Sequence, residues 1–199
     1  MSNLPTDQLV LEAAIACIEK YGLDKTTTRR IAEEAGTNVA AINYYYRTKD
    51  ELLAKAFSCT IDHMLEDVFA VIAETREPLA AMVEDVFFYL IDGARRWPGI
   101  TTAHLSRVLV QKAYDSAAGQ AIRRMFDRLV ERAVGQYPGD DPAELEFGLS
   151  QVLSAIMLTM LAPDYLPVAE RYRPRDAEHC RTLARYYAAA LFAAWGKEA

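Results

Sequence analysis

A cluster of side chains between Ala40 and Lys49 has the chemistry of nucleic-acid recognition. Asn43 carries an amide that can pair bidentately with an adenine edge, and Tyr44 and Tyr45 carry hydroxyls suited to phosphate oxygens. Ala40 and Ala41 are small enough to let a helix approach the floor of a groove. Arg29, Arg30, Arg47 and Lys49 frame the group with positive charge. Tyr44 has two readings, a DNA contact or a surface ring packed on its neighbour.

Two short helices are needed to present these groups, and the stretch TTRRIAEEAGTNVAAINYYYRTK, residues 27–49, spells them. Thr27 or Thr28 can cap the first, with Ile31, Ala32 and Ala35 as its apolar face and Gly36 as the left-handed residue at its end. Asn38 is a good cap for the second. Val39, Ile42 and Tyr46 fall at helical spacing and are expected to turn inward against Ile31 and Ala35. A helix ending on glycine with another starting two residues later is a helix-turn-helix.

The span from Leu11 to Phe57 resembles the DNA-binding domain of the TetR (tetracycline-repressor-like) family. The likeness rests on AA at 13–14, YG at 21–22, TTRRIAEEAG at 27–36 and YYRTKDELL at 45–53. It implies an all-α chain that works as a homodimeric transcriptional repressor and leaves its operator when a small molecule binds the C-terminal domain. It also implies that Thr28, Tyr45 and Lys49 hold phosphates, while Arg29 and the outward face of 38–44 meet bases. With Thr27 and Asn38 at the caps, the DNA-binding set is Thr27, Thr28, Arg29, Asn38, Ala40, Ala41, Asn43, Tyr44, Tyr45 and Lys49. The family usually has tyrosine at the position of Asn43 and phenylalanine at that of Tyr46, so Asn43 exchanges a phosphate contact for a base-reading amide.

A net charge of −6 over 199 residues looks wrong for a DNA binder. The charge is unevenly spread, however: residues 20–49 hold six Lys/Arg against three Asp/Glu, a local surplus of +3. An acidic body behind a basic head still binds through the head, with salt-sensitive affinity. At 52% hydrophobic content the chain can bury a sizeable core. Cys17, Cys59 and Cys180 are widely spaced with no CxxC pair, which indicates neither a disulfide framework nor a zinc site, and a reducing compartment. MSNLPTDQ lacks a basic-then-apolar signal, and the longest uncharged run, 147–162, falls short of the ~20 apolar residues of a membrane span. The expectation is a cytoplasmic protein without membrane contact.

Everything else reads as helix. Helix 1 is expected from about Thr6, as cap, to Tyr21, with Leu9, Ala13, Ile15, Ala16 and Ile18 inward and Gly22 as its stop. A long helix from Asp50 carries Leu52, Leu53, Ala56, Phe57, Ile61, Leu65 and Val68 at spacings of three and four. Breakers place later helices at about 78–96, 101–112, 117–136, from the PGDDP turn at 138–142 to about 161, and 177–195, with PDYLP at 163–167 and RYRPRD at 171–176 irregular. The chain divides into a head, 1–49, and a helical ligand-binding and dimerisation domain, 50–199. Helices 142–161 and 177–195 are apolar on more than one side and carry small residues such as Gly148, Ser154, Ala155 and Ala189, so each subunit is expected to give both to a four-helix dimer interface. The competing account is a monomeric bundle with these as inner helices. A two-fold dimer would match a palindromic double-stranded operator.

Effector contacts are expected among the middle helices, from His63, Phe87, Tyr89, His104, Arg107 and Phe126. For His63 and His104, ordinary surface or core is the competing reading, and Arg107 near His104 hints at an acidic ligand. His63 with Asp67 supplies only two metal ligands, so no metal or other cofactor is indicated. Cys59 with His63 is the one nucleophile and base that local spacing brings together, without an oxyanion turn or a phosphate loop, so the chain is not expected to be an enzyme. The alternative function is a helical small-molecule-binding or scaffold protein that does not read DNA.

Overall fold

The computed structural model describes residues 5–74, 78–137, 139, 141–165 and 167–197. Among them the chain is all-α: α1 (Thr6–Tyr21), α2 (Thr28–Glu34), α3 (Val39–Tyr45), α4 (Lys49–Glu74), α5 (Leu79–Arg96), α6 (Pro98–Leu109), α7 (Ala117–Gln136), α8 (Pro142–Leu161) and α9 (Ala177–Ala194), with a 3-10 turn at Glu170–Tyr172 before α9. Part of the N-terminal reading and parts of the turns at 138–142 and 163–167 fall on residues 1–4, 138, 140 and 166, which lie outside the described residues.

Packing groups the chain into two compact units, one of residues 1–63 and 97–119, the other of 64–96 and 120–199. In the first, Val10, Ala13, Ala14 and Cys17 of α1 close over Ile31 and Ala32 of α2, Ile42 of α3, and Leu52 and Ala56 of α4. Ile18, Leu53, Phe57, Ile100 and Ala103 continue that core toward α6. The buried side of α1 is therefore Val10, Ala13, Ala14, Cys17 and Ile18, not the set with Leu9 and Ala16; Ala16 is exposed. Because α1 has apolar residues on most sides, spacing alone set its phase a residue off. Thr6 is the first helical residue, not the cap, which is Pro5.

α6 begins three residues earlier than the spacing predicts. Pro98 stands in its first turn, where a missing N–H costs nothing. Its start is held against α1: Glu19 Oε2 accepts from Ile100 N at 2.9 Å, and a Cβ on Gly99 would stand 2.6 Å from the Glu19 carbonyl oxygen. Only glycine fits there. Further along, His104 is buried with its Nε2 2.9 Å from the Thr60 hydroxyl of α4, and its ring packs edge-on against Phe57. Burial and the Arg107 charge push this imidazole down to about 4, so it is neutral at physiological pH.

In the second unit α5 packs along α9. Arg181 bonds Asp85 and lies over the Phe88 ring at 3.8 Å. Buried Asp92 accepts from Arg95 and Arg96 at 2.9 and 2.8 Å; burial would raise its pKa, but the paired guanidiniums hold it lower than usual. α8 buries Leu145, Gly148, Leu149, Leu153 and Ile156. By length and composition alone α8 could cross a membrane, contrary to the shorter uncharged run read from sequence, but it packs on α5 and α9 as a bundle helix.

Candidate nucleic-acid interface

Three side-chain caps start the helices of the head. Thr27 Oγ1 accepts from Arg30 N at 3.3 Å, and Asn38 Oδ1 from Ala41 N at 2.9 Å. Thr48 Oγ1 accepts from Glu51 N at 3.1 Å, and Glu51 Oε2 accepts from Arg47 N, the residue before the cap, at 3.2 Å. The sequence reading missed this cap and began α4 at Asp50, although Thr48 was its signal. Between α2 and α3, Gly36 takes φ 64°, and Thr37 N donates to Ala32 O at 2.9 Å, closing α2 in a Schellman turn.

Capping limits what two of the candidate residues can offer DNA. With its lone pair engaged, Thr27 keeps a hydroxyl proton; with Oδ1 engaged, Asn38 keeps its NH2 donors. Both are therefore donors, which suits phosphates and acceptor-bearing base edges.

The outward face of α3 is clear. Ala40, Asn43, Tyr44 and Tyr45 are exposed, Ala41 is half-buried, and Ile42 alone is buried. Tyr44 is 82% exposed and stands edge-on to Tyr45 at 5.1 Å, so both of its readings describe real features: it touches a neighbour and still faces solvent. Val39 was expected to turn inward but is 37% exposed, which leaves Ile42 as the buried residue of α3. Tyr46 lies just past α3 in extended backbone. Its ring packs on the core, its hydroxyl donates to the Asp7 carbonyl at 3.2 Å, and burial, with Asp7 nearby, raises its pKa.

The flanking cations divide. Arg29 is exposed and pairs with Glu33 at 3.1 Å, a surface contact weak enough to yield to a phosphate or base. Arg30 is committed to the fold, donating to the Lys25 carbonyl at 2.7 Å and lying 4.7 Å from the Tyr21 ring centroid. Thr28 and Lys49 are the half-buried first residues of α2 and α4.

Residues 10–56, which span this head, match the family model described as bacterial regulatory proteins, tetR family. Over this stretch the chain resembles the TetR family. The nucleoid occlusion factor SlmA of Pasteurella multocida is 31% identical over 112 residues, 54% of this chain and 53% of SlmA, so the chain spans about half the length of that relative. The HTH-type transcriptional regulator BetI 2 of Chromohalobacter salexigens is 25% identical over 204 residues, covering 95% of this chain and 89% of BetI 2. A TetR transcription regulator from Haloarcula marismortui has the same fold, with a TM-score of 0.66 and 21% identity over 93% of this chain and 97% of that one.

The effector candidates are not gathered in one unit. His63, His104 and Arg107 belong to the first and Phe87, Tyr89 and Phe126 to the second. Phe87 is wholly buried, and Tyr89 donates to Asp67 at 2.6 Å, burial and that bond raising its pKa. Arg107 lies 5.2 Å from the Phe57 ring centroid, His63 is exposed, and Phe126 is half-buried. None of the six lines either of two cavities in the second unit. One, of about 450 Å³, lies between Phe69 and Ile72 of α4 and Arg128 and Glu131 of α7. The other, of about 300 Å³, lies where α8 ends, under the segment leading to α9, with four tyrosines in its wall. Sequence reasoning missed this second cavity; the tyrosines at 165, 172, 186 and 187 were its only local signal.

Proposed function

We propose that this chain is a TetR-family DNA-binding transcriptional repressor that acts as a homodimer on a palindromic operator and is released by a small-molecule effector. The exposed face of α3 carries the proposal: an asparagine amide, two phenols and small alanines on a short helix, beside three capped helix starts. Asn43 and Arg29 read bases, Thr28, Tyr45 and Lys49 hold phosphates, and Thr27 and Asn38 add donors at the helix starts. Residues 1–49 act as the reading head and 50–199 as the effector and dimerisation domain.

The dimer is assigned to α8 and α9. Phe147, Ser154 and Ala155 of α8 and Ala189 and Ala193 of α9 are exposed, and a polar surface helix has no use for such a face. A two-fold pair would set two α3 helices roughly 34 Å apart, one DNA turn. Effector binding in 50–199 would move α4, which runs from the head into the second unit, and so select against the DNA-competent arrangement. No catalytic role is assigned, and a soluble, cytoplasmic setting follows from the DNA partner.

The test is selection of binding sites from a random duplex library with the purified full chain. Recovery of a two-fold symmetric motif is expected. Recovery of no motif at low salt by a folded protein, with no ligand released on denaturation, would favour a helical ligand-binding or scaffold protein instead.

A further inference from the structure

The cavity at the end of α8 has a definite electrostatic character. Thr159 Oγ1 is 3.0 Å from the Ala155 carbonyl and 2.7 Å from the Tyr187 hydroxyl. A carbonyl only accepts, so the single threonine proton goes to Ala155, and Tyr187 must then donate to Thr159. Both hydroxyl protons are spent. What the pair can still offer a ligand is lone pairs.

The rest of the wall agrees in sign. Tyr172 and Tyr186 lie 5.9 Å apart and Tyr186 and Tyr187 6.1 Å apart, and Tyr165 shares the wall with aliphatic side chains, Leu158, Val168 and Leu183 among them. Aromatic faces carry negative quadrupole density and attract cations. The Tyr172 ring already meets the Arg171 guanidinium, 4.8 Å from its centroid, so a cationic head must sit toward Tyr187 and leave Tyr172 to the ligand's carbon body. Among the described residues no carboxylate lines the cavity, and neighbouring Asp164 is paired with Arg173 at 3.0 Å. A metal ion or a compact, strongly hydrated cation would find no ligand able to replace its water. A soft organic cation would.

We propose that this cavity is a second small-molecule site, separate from any effector site among the middle helices, and that it takes an organic ammonium ion whose N–H donates to Tyr187 while its carbon body lies against Tyr172 and Tyr186. At about 300 Å³ the space suits a single-ring amine. The site stands on its own geometry, so it can be tested without an operator and without regard to DNA binding.

The experiment is calorimetric titration of the full-length protein at neutral pH with benzylammonium chloride, and in parallel with benzyl alcohol, which has nearly the same shape without the charge. One benzylammonium per subunit is expected, with benzyl alcohol weaker by about tenfold, the size of a partly desolvated cation–π and charge-assisted contact. Tyr187→Phe removes one oxygen, and Tyr172→Leu removes one ring. Each is expected to weaken benzylammonium by about three- to tenfold with helical content unchanged. If Tyr172→Leu fails to fold, Tyr187→Phe decides alone. The proposal is overturned if benzylammonium does not bind, if benzyl alcohol binds as tightly, or if Tyr187→Phe leaves the ammonium affinity unchanged.

Discussion

Asn43 and Lys49 lie six positions apart and should fail in different ways when cut back. Lys49 stands in the first turn of α4, where a cation can meet a phosphate without regard to base. Lys49→Ala is expected to weaken all duplexes about equally and to lower the slope of log K against log salt by about one, as read by anisotropy at several salt concentrations. Asn43 is exposed in mid-helix. Asn43→Ala should relax preference at one base pair per half-site, with a discrimination loss of about 1–3 kcal/mol, visible as a flattened column in a repeated site selection. An unchanged slope in the first variant, or an unchanged motif in the second, removes that residue's assigned role. His104 gives a third test. Its folded-state pKa of about 4 lies below the ordinary 6.5, so the unfolded chain takes up the proton first. The stability from its neutral burial is complete above pH 6.5 and is lost as pH falls toward 4. His104→Gln should flatten the fall in urea stability between pH 6.5 and 5; a slope equal to wild type would mean that His104 titrates normally.

At the scale of elements, the junction of α1 with α6 tolerates little. A methyl on Gly99 would meet the α1 backbone at 2.6 Å, and backbone cannot swing aside. Gly99→Ala is expected to cost about 1–3 kcal/mol by overpacking, and chemical denaturation of the purified variant would measure it. That close approach was not legible in the sequence, which showed Trp97-Pro98-Gly99 only as a breaker, because Glu19 lies far along the chain, 81 positions before the Ile100 whose N–H it accepts. α2 and α3 were legible, since Thr27, Gly36 and Asn38 act on backbone groups within a few residues of themselves. α1 was found but set in the wrong phase, because Leu9, Val10 and Leu11 are all apolar and the packing of Ile31 and Ile42 decides which turns in. The tyrosine cavity was invisible for the same reason as the Gly99 contact: three separate segments build its wall.

For the whole molecule, the exposed apolar residues of α8 are where association would couple to folding. If they are covered by a second copy, the melting temperature should rise with protein concentration, as for any fold coupled to dimerisation. Ala155→Arg, at an exposed small position, should yield monomers by sedimentation while helical content persists. A monomeric wild type would reject that interface. Division of labour within the head has a longer reach. Ile42 alone carries the burial of α3, and the caps and Tyr46 fix its two ends, so Ala40, Asn43 and Tyr44 support nothing in the core. Substitutions at those three positions can drift at almost no thermodynamic cost. A lineage built on this head could acquire new operators by a few codon changes while its folding machinery stays untouched, and a protein engineer could retarget it along the same route.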